Sequence, residues 1–216
     1  MSAAPDAVRI ACVGDSITRG TFVWHRRVNS YPAQLQAMLG DGYCVRNFGV
    51  NAHAAQRTAD FPYWDSEAFA EGAAFMPHIA LIMLGTNDCR GDNWRGVEAF
   101  AGDYRDLVEH YRSLESRPTL WLLTPPALFR LGHSSKVRYG MDDTALRQIC
   151  GAVEGVARDL GCGLIDVNAA TASHPEAFRF DGVHPQAAGA LLIARTVFEA
   201  LGHREVRGPG AHSGTI

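Results

Sequence analysis

The sequence predicts an α/β fold, a three-layer α/β/α sandwich built on a parallel sheet of about five strands. Three observations carry this. Short apolar runs recur along the chain, most of them halted by glycine or proline. The strongest are apolar without alternation, the pattern of strands buried on both faces. Segments of helical periodicity lie between them, and strands alternating with helices give a parallel sheet covered on both sides.

The elements follow in order. Residues 8–13 (V-R-I-A-C-V) form a buried strand stopped by Gly14. Residues 31–39 read as a helix, with Ser30 as N-cap, Pro32 in the first turn, Leu35, Met38 and Leu39 on one face, and Gly40 as terminator. Residues 44–48 are a second strand, closed by Gly49. Residues 79–84 (I-A-L-I-M-L) are continuously apolar up to Gly85, and residues 120–123 repeat the pattern before Pro125 and Pro126. Residues 163–167 give the last strand. Helices are expected over 97–114, 146–160 and 187–201, the second ended by Gly161. Residues 19–29 and 127–141 read as loops. A single domain spans 1–203, and the Gly-, His- and Ser-rich segment 204–216 reads as a flexible tail.

Composition narrows the function. The 216 residues suit one domain. A net charge of -3 supplies no basic field, which argues against nucleic acid as a partner. Five cysteines without C-x-x-C spacing suggest neither a disulfide framework nor a zinc ribbon. Cys12 and Cys150 read as buried hydrophobes, and Cys89 is expected nearer the surface. The histidines are scattered and H-E-x-x-H is absent, so no metal is expected. The phosphate-cradling glycine motifs are also missing, and no cofactor is expected. No run approaches the ~18 apolar residues of a membrane span, and no basic-then-apolar leader opens the chain. Cytoplasmic location is the resulting expectation. Oligomeric state leaves no trace in the sequence.

Ligands of open α/β sheets bind beyond the carboxyl ends of the strands, so the segments following each strand sample the site. These are Gly14-Asp15-Ser16-Ile17-Thr18, Asn47-Phe48-Gly49-Val50-Asn51, Gly85-Thr86-Asn87-Asp88 and, before the final helix, Asp181-Gly182-Val183-His184-Pro185. In order and spacing they resemble the blocks of the SGNH (GDSL-type) hydrolase family, over nearly the whole chain. The resemblance implies a flavodoxin-like domain and a serine ester hydrolase. Ser16 is then the nucleophile, His184 the general base, Asp181 its orienting partner, and Gly49 and Asn87 oxyanion-hole donors. Two departures stand out: Ile17 replaces the leucine of G-D-S-L, and Ala52 stands where many members carry a second glycine.

The residues argue the same chemistry. A serine hydroxyl becomes nucleophilic only when a base takes its proton, and histidine suits that task near neutrality. A carboxylate on the other ring nitrogen fixes the tautomer, and Asp181 lies three residues before His184 with Gly182 between. Pro185 is expected in the first turn of the last helix. Backbone N–H groups of Ser16 and Gly49 with the Asn87 amide would form the oxyanion hole. Asp15 and Asp88 read as loop-ordering carboxylates. Arg90 reads as a surface ion-pair partner, with an anionic substrate as the alternative. Trp24, Trp64 and Trp94 lie near the predicted loops, where aromatic faces can stack on sugars.

The expected reaction is metal-free hydrolysis of a carboxylic ester through an acyl-enzyme, with acetyl or another short acyl group on a carbohydrate as the preferred substrate. A lysophospholipase- or thioesterase-type acyl hydrolase, or an acyltransferase using the same triad, is the alternative. A non-catalytic binding module is disfavoured by the intact set of groups.

Overall fold

The computed structural model describes residues 6–130 and 137–202. The predicted tail and the middle of the 127–141 loop lie outside them. Five strands, β1 (Val8–Gly14), β2 (Tyr43–Gly49), β3 (Ile79–Met83), β4 (Thr119–Leu123) and β5 (Gly163–Ile165), form one sheet in the order β2-β1-β3-β4-β5. Every pairing is parallel. This is the flavodoxin-like order, whose topological switch point lies between β1 and β3. Register makes the carboxyl edge flush there, since Gly14 pairs with Gly49 on one side and Met83 on the other.

Pleating divides the strands between two cores. Ala11, Val13, Ala80, Ile82, Leu120 and Leu122 face one side. There they meet Phe100, Tyr104, Leu107 and Tyr111 of α5 (Val97–Arg112), and Leu146, Ile149 and Val153 of α6 (Asp143–Leu160). Ile10, Cys12, Leu81, Met83, Trp121 and Leu123 face the other side. They pack on Tyr31 and Leu35 of α3 (Tyr31–Leu39), and on Ile193 and Val197 of α8 (Ala187–Gly202). Each fully buried Ile, Leu or Phe contributes about 1.5–3 kcal/mol of transfer free energy.

Several elements differ from expectation. Helix α6 begins three residues early because Asp142 caps it, accepting from Thr144 N and Ala145 N. The last strand is cut short by α7 (Val167–Thr171), whose N-cap Asp166 accepts from Ala169 N. The segment 19–29 is partly helical, holding the end of α1 (Ser16–Arg19) and α2 (Arg26–Asn29). Helix α4 (Glu67–Ala74) was not expected. Pro185 pairs with Phe178 in a bridge ahead of α8 instead of entering its first turn. Cys89 is fully buried, its thiol reaching Thr86 O. None of the helices formed by the described residues is long and apolar enough to cross a membrane.

Candidate active site

The turn that carries Ser16 is set by Asp15. Its Oδ1 accepts Ile17 N at 2.8 Å, capping α1 and placing Ser16 at the first helical position directly beyond β1. A first-turn N–H has no partner inside its helix, so that of Ser16 is left for a ligand. Burial pushes the Asp15 carboxyl up to about 7, although the Ile17 N–H and the Thr86 hydroxyl pull the other way.

A second turn carries His184. Asp181 Oδ1 accepts the N–H groups of Val183 and His184, both at 3.0 Å, and Oδ2 lies 2.9 Å from His184 Nδ1. Gly182 makes this possible: its φ is +71°, and a Cβ there would stand 1.9 Å from Phe129 O. Burial raises the Asp181 carboxyl, but the two backbone donors and the imidazole outweigh it and hold the group below its ordinary value. Tyr139 adds its hydroxyl to Oδ2 at 3.3 Å.

The two turns meet. Ser16 Oγ lies 2.9 Å from His184 Nε2, across 168 residues of sequence. Ser16, His184 and Asp181 are all buried. Hydroxyl, imidazole and carboxylate thus stand in a hydrogen-bonded line, with the imidazole tautomer fixed by an acceptor on Nδ1.

Asn87 reaches the same cavity from the loop after β3. Its Nδ2 donates one hydrogen to His53 O at 2.9 Å, leaving the second for a ligand. Two neighbours that sequence reasoning passed over hold it there. Buried Asn93 donates to Asn87 O at 2.8 Å, and buried Gln56 donates to Asn93 O. Asp88, as expected, orders the loops: its carboxylate accepts Ala55 N and Gln56 N at 2.9 and 2.8 Å. Burial raises it to about 6 against those same donors.

Gly49 departs from expectation. Its N–H is taken by Asn47 Oδ1 at 2.9 Å, and it lines depressions away from Ser16. Glycine is required there for packing, because a Cβ would lie 2.2 Å from Arg19 N and 2.8 Å from Asp15 O. The chain reaches the cavity beside Ser16 two and three residues later, at Asn51 and Ala52. Ala52 has φ +64°, and its N–H makes no hydrogen bond to another described residue.

The cavity measures about 390 Å³ and is mainly apolar in character, with Phe22, Met141, Val183 and Tyr139 among its walls. Phe22 and Tyr139 present edge contacts to the His184 ring, at 5.1 and 6.0 Å between centroids. Both sit in the left-handed backbone region, at φ +62°. They, and not the tryptophans, are the aromatic groups of the site. Trp64 and Trp94 pack against the core, and exposed Trp24 lies outside the cavity wall. No cluster of three or more His, Cys, Asp or Glu suited to a metal occurs among the described residues.

Comparison with known proteins now decides the family. The model of the GDSL-like lipase/acylhydrolase family matches residues 12–192. The chain belongs to that family. Among curated proteins, this GDSL-like chain is 32% identical over 214 residues to an acetylxylan esterase of Xylanibacter ruminicola. That match covers 91% of the chain but 43% of the relative, so the chain spans less than half the length of that protein. Solved structures share the fold. An aryl esterase of M. smegmatis superposes with TM-score 0.72 at 17% identity, covering 90% of this chain and 98% of that one. A carbohydrate acetylesterase of Sinorhizobium meliloti gives 0.70 at 17% identity, with the same coverages of 90% and 98%. A lipase/acylhydrolase of Enterococcus faecalis gives 0.69 at 21%, covering 89% and 94%.

Proposed function

We propose that the chain is a serine esterase that hydrolyses short-chain carboxylic esters through an acyl-enzyme, with acetyl groups on a carbohydrate as the preferred substrate. The observation that carries this is the line Ser16 Oγ, His184 Nε2, Asp181 Oδ2, with both gaps at 2.9 Å. Ser16 attacks the ester carbonyl as its proton passes to Nε2. The imidazolium that forms is stabilised by Asp181 and returns the proton to the departing alcohol. Water, deprotonated by the same imidazole, then releases the acid.

Negative charge developing on the carbonyl oxygen needs preformed donors. The Ser16 N–H and the free hydrogen of the Asn87 amide supply two. The third is assigned to the Ala52 N–H in place of Gly49, because Ala52 lines the cavity beside Ser16 and Gly49 does not.

The acetyl preference is supported by the acetylxylan esterase relative and by a cavity near the small end of ligand sites, which run about 300–1,000 Å³. Phe22 and Tyr139 are placed to pack on a sugar ring. The test is hydrolysis of p-nitrophenyl esters of graded chain length beside O-acetylated xylose, with Ser16→Ala as control. Acetate release without an added acceptor, declining as the acyl chain lengthens, is the expected result. A preference for long chains would transfer the reading to a lipid or thioester hydrolase, and dependence on an alcohol acceptor would make the chain an acyltransferase.

A further inference from the structure

Among the described residues that line the cavity, Arg90 is the one that carries a permanent charge, and none carries a carboxylate. Arg90 is anchored where two segments of the site meet: it bridges to Met141, and Gly91 N donates to Gly140 O. Its nearest counter-ions are Asp60 and Asp92, at 3.5 and 3.7 Å, beyond good hydrogen-bonding distance. The guanidinium side chain is 24% exposed, whereas those aspartates are 50% and 84% exposed. With their carboxylates this exposed, both ion pairs are screened by solvent and weak. The guanidinium makes no hydrogen bond to another described residue, so a planar fork of donors remains for a ligand.

We infer that Arg90 is a specificity residue that pairs with a carboxylate carried by the ester substrate. The inference rests on the esterase reading and adds to it the charge of the substrate. The carboxylate has two sources, the acyl side (a dicarboxylic monoester) or the alcohol side (an acidic sugar), and both offer the oxygen pair that a guanidinium binds bidentately.

Two substrate pairs test this at about pH 7.5, where carboxylates are ionised. On the acyl side, monoethyl succinate is compared with ethyl butyrate. On the alcohol side, O-acetylated glucuronic acid is compared with O-acetylated xylose. The readout is the ratio of kcat/KM, charged over neutral, within each pair. Wild-type protein is expected to favour the charged member of one pair, and that pair identifies the source. Arg90→Gln is expected to cut the ratio about tenfold, the effect of losing one partly buried charge-assisted pair. Asp92→Asn, at a highly exposed position, is expected to raise it about twofold by removing a competitor. Asp92→Asn decides the matter by itself if Arg90→Gln does not fold. A wild-type ratio at or below one in both pairs, or a ratio unmoved by the folded variants, overturns the inference while leaving the esterase reading intact. Failure of the wild type to hydrolyse any of the four esters would instead strike the esterase reading, and this inference with it.

Discussion

Replacing Asp181 by Asn separates the two jobs of that side chain. Oδ1 accepts two backbone N–H groups and shapes the turn, and Oδ2 faces His184 Nδ1. Asparagine keeps an oxygen for the turn but presents an NH₂ group to the imidazole 2.9 Å away. Two donors then face each other unless the ring shifts its proton to Nε2, the nitrogen that must accept from Ser16. The base is thereby blocked without emptying the site. The same replacement in a serine-protease triad lowers kcat about 10⁴-fold, or about 5.5 kcal/mol of barrier. We predict a fall of that order in steady-state kcat on p-nitrophenyl acetate, with a midpoint of thermal unfolding within a few degrees of wild type. Retention of more than about a tenth of wild-type kcat by the folded variant would refute this role for Asp181.

Further outcomes follow from neighbouring contacts. Gly182→Ala places a methyl group against Phe129 O in a left-handed turn, and should cost more than about 2 kcal/mol in denaturant unfolding along with most activity. Asn93→Ala removes the donor to Asn87 O and should lower kcat about tenfold with little change in KM, measured with p-nitrophenyl acetate. Asp15 has a folded pKa near 7, above its unfolded value, so the folded state holds an extra proton between about pH 4 and pH 7. Its contribution is therefore lost as pH rises through that window. Asp15→Asn keeps the capping oxygen and removes the charge, so it should raise the unfolding midpoint at pH 8 and flatten the pH dependence. A midpoint unchanged or lowered at pH 8 would count against a buried charge there.

The sheet was legible because burial on both faces leaves an uninterrupted apolar run, as at residues 79–84, which no solvent-facing element tolerates. The four loop segments were legible because strand ends place them on one edge. What escaped has physical causes. Only Gly72 of helix α4 is fully buried, and its Ala-rich sequence carries little periodic contrast. Helices α1 and α2 are four residues each, shorter than the window in which periodicity shows. Gly49 was read as an oxyanion donor because glycine permits close approach. It does permit one, but to the backbone of the turn that carries Ser16. Phe22 and Tyr139 lie on irregular segments, where direction is set by left-handed φ values at residues whose type gives no hint of them. Asn93 and Gln56 act through side-chain hydrogen bonds to other segments, formed by tertiary folding, which leave no spacing to read.

The proposed reaction depends on the Ser16 hydroxyl being the activated nucleophile. Labelling with an active-site organophosphate, followed by peptide mass spectrometry, tests this directly. The predicted result is one adduct per chain on Ser16, forming in step with loss of esterase activity and absent from Ser16→Ala. Full inactivation with Ser16 unmodified, or undiminished ester hydrolysis by Ser16→Ala, would contradict it.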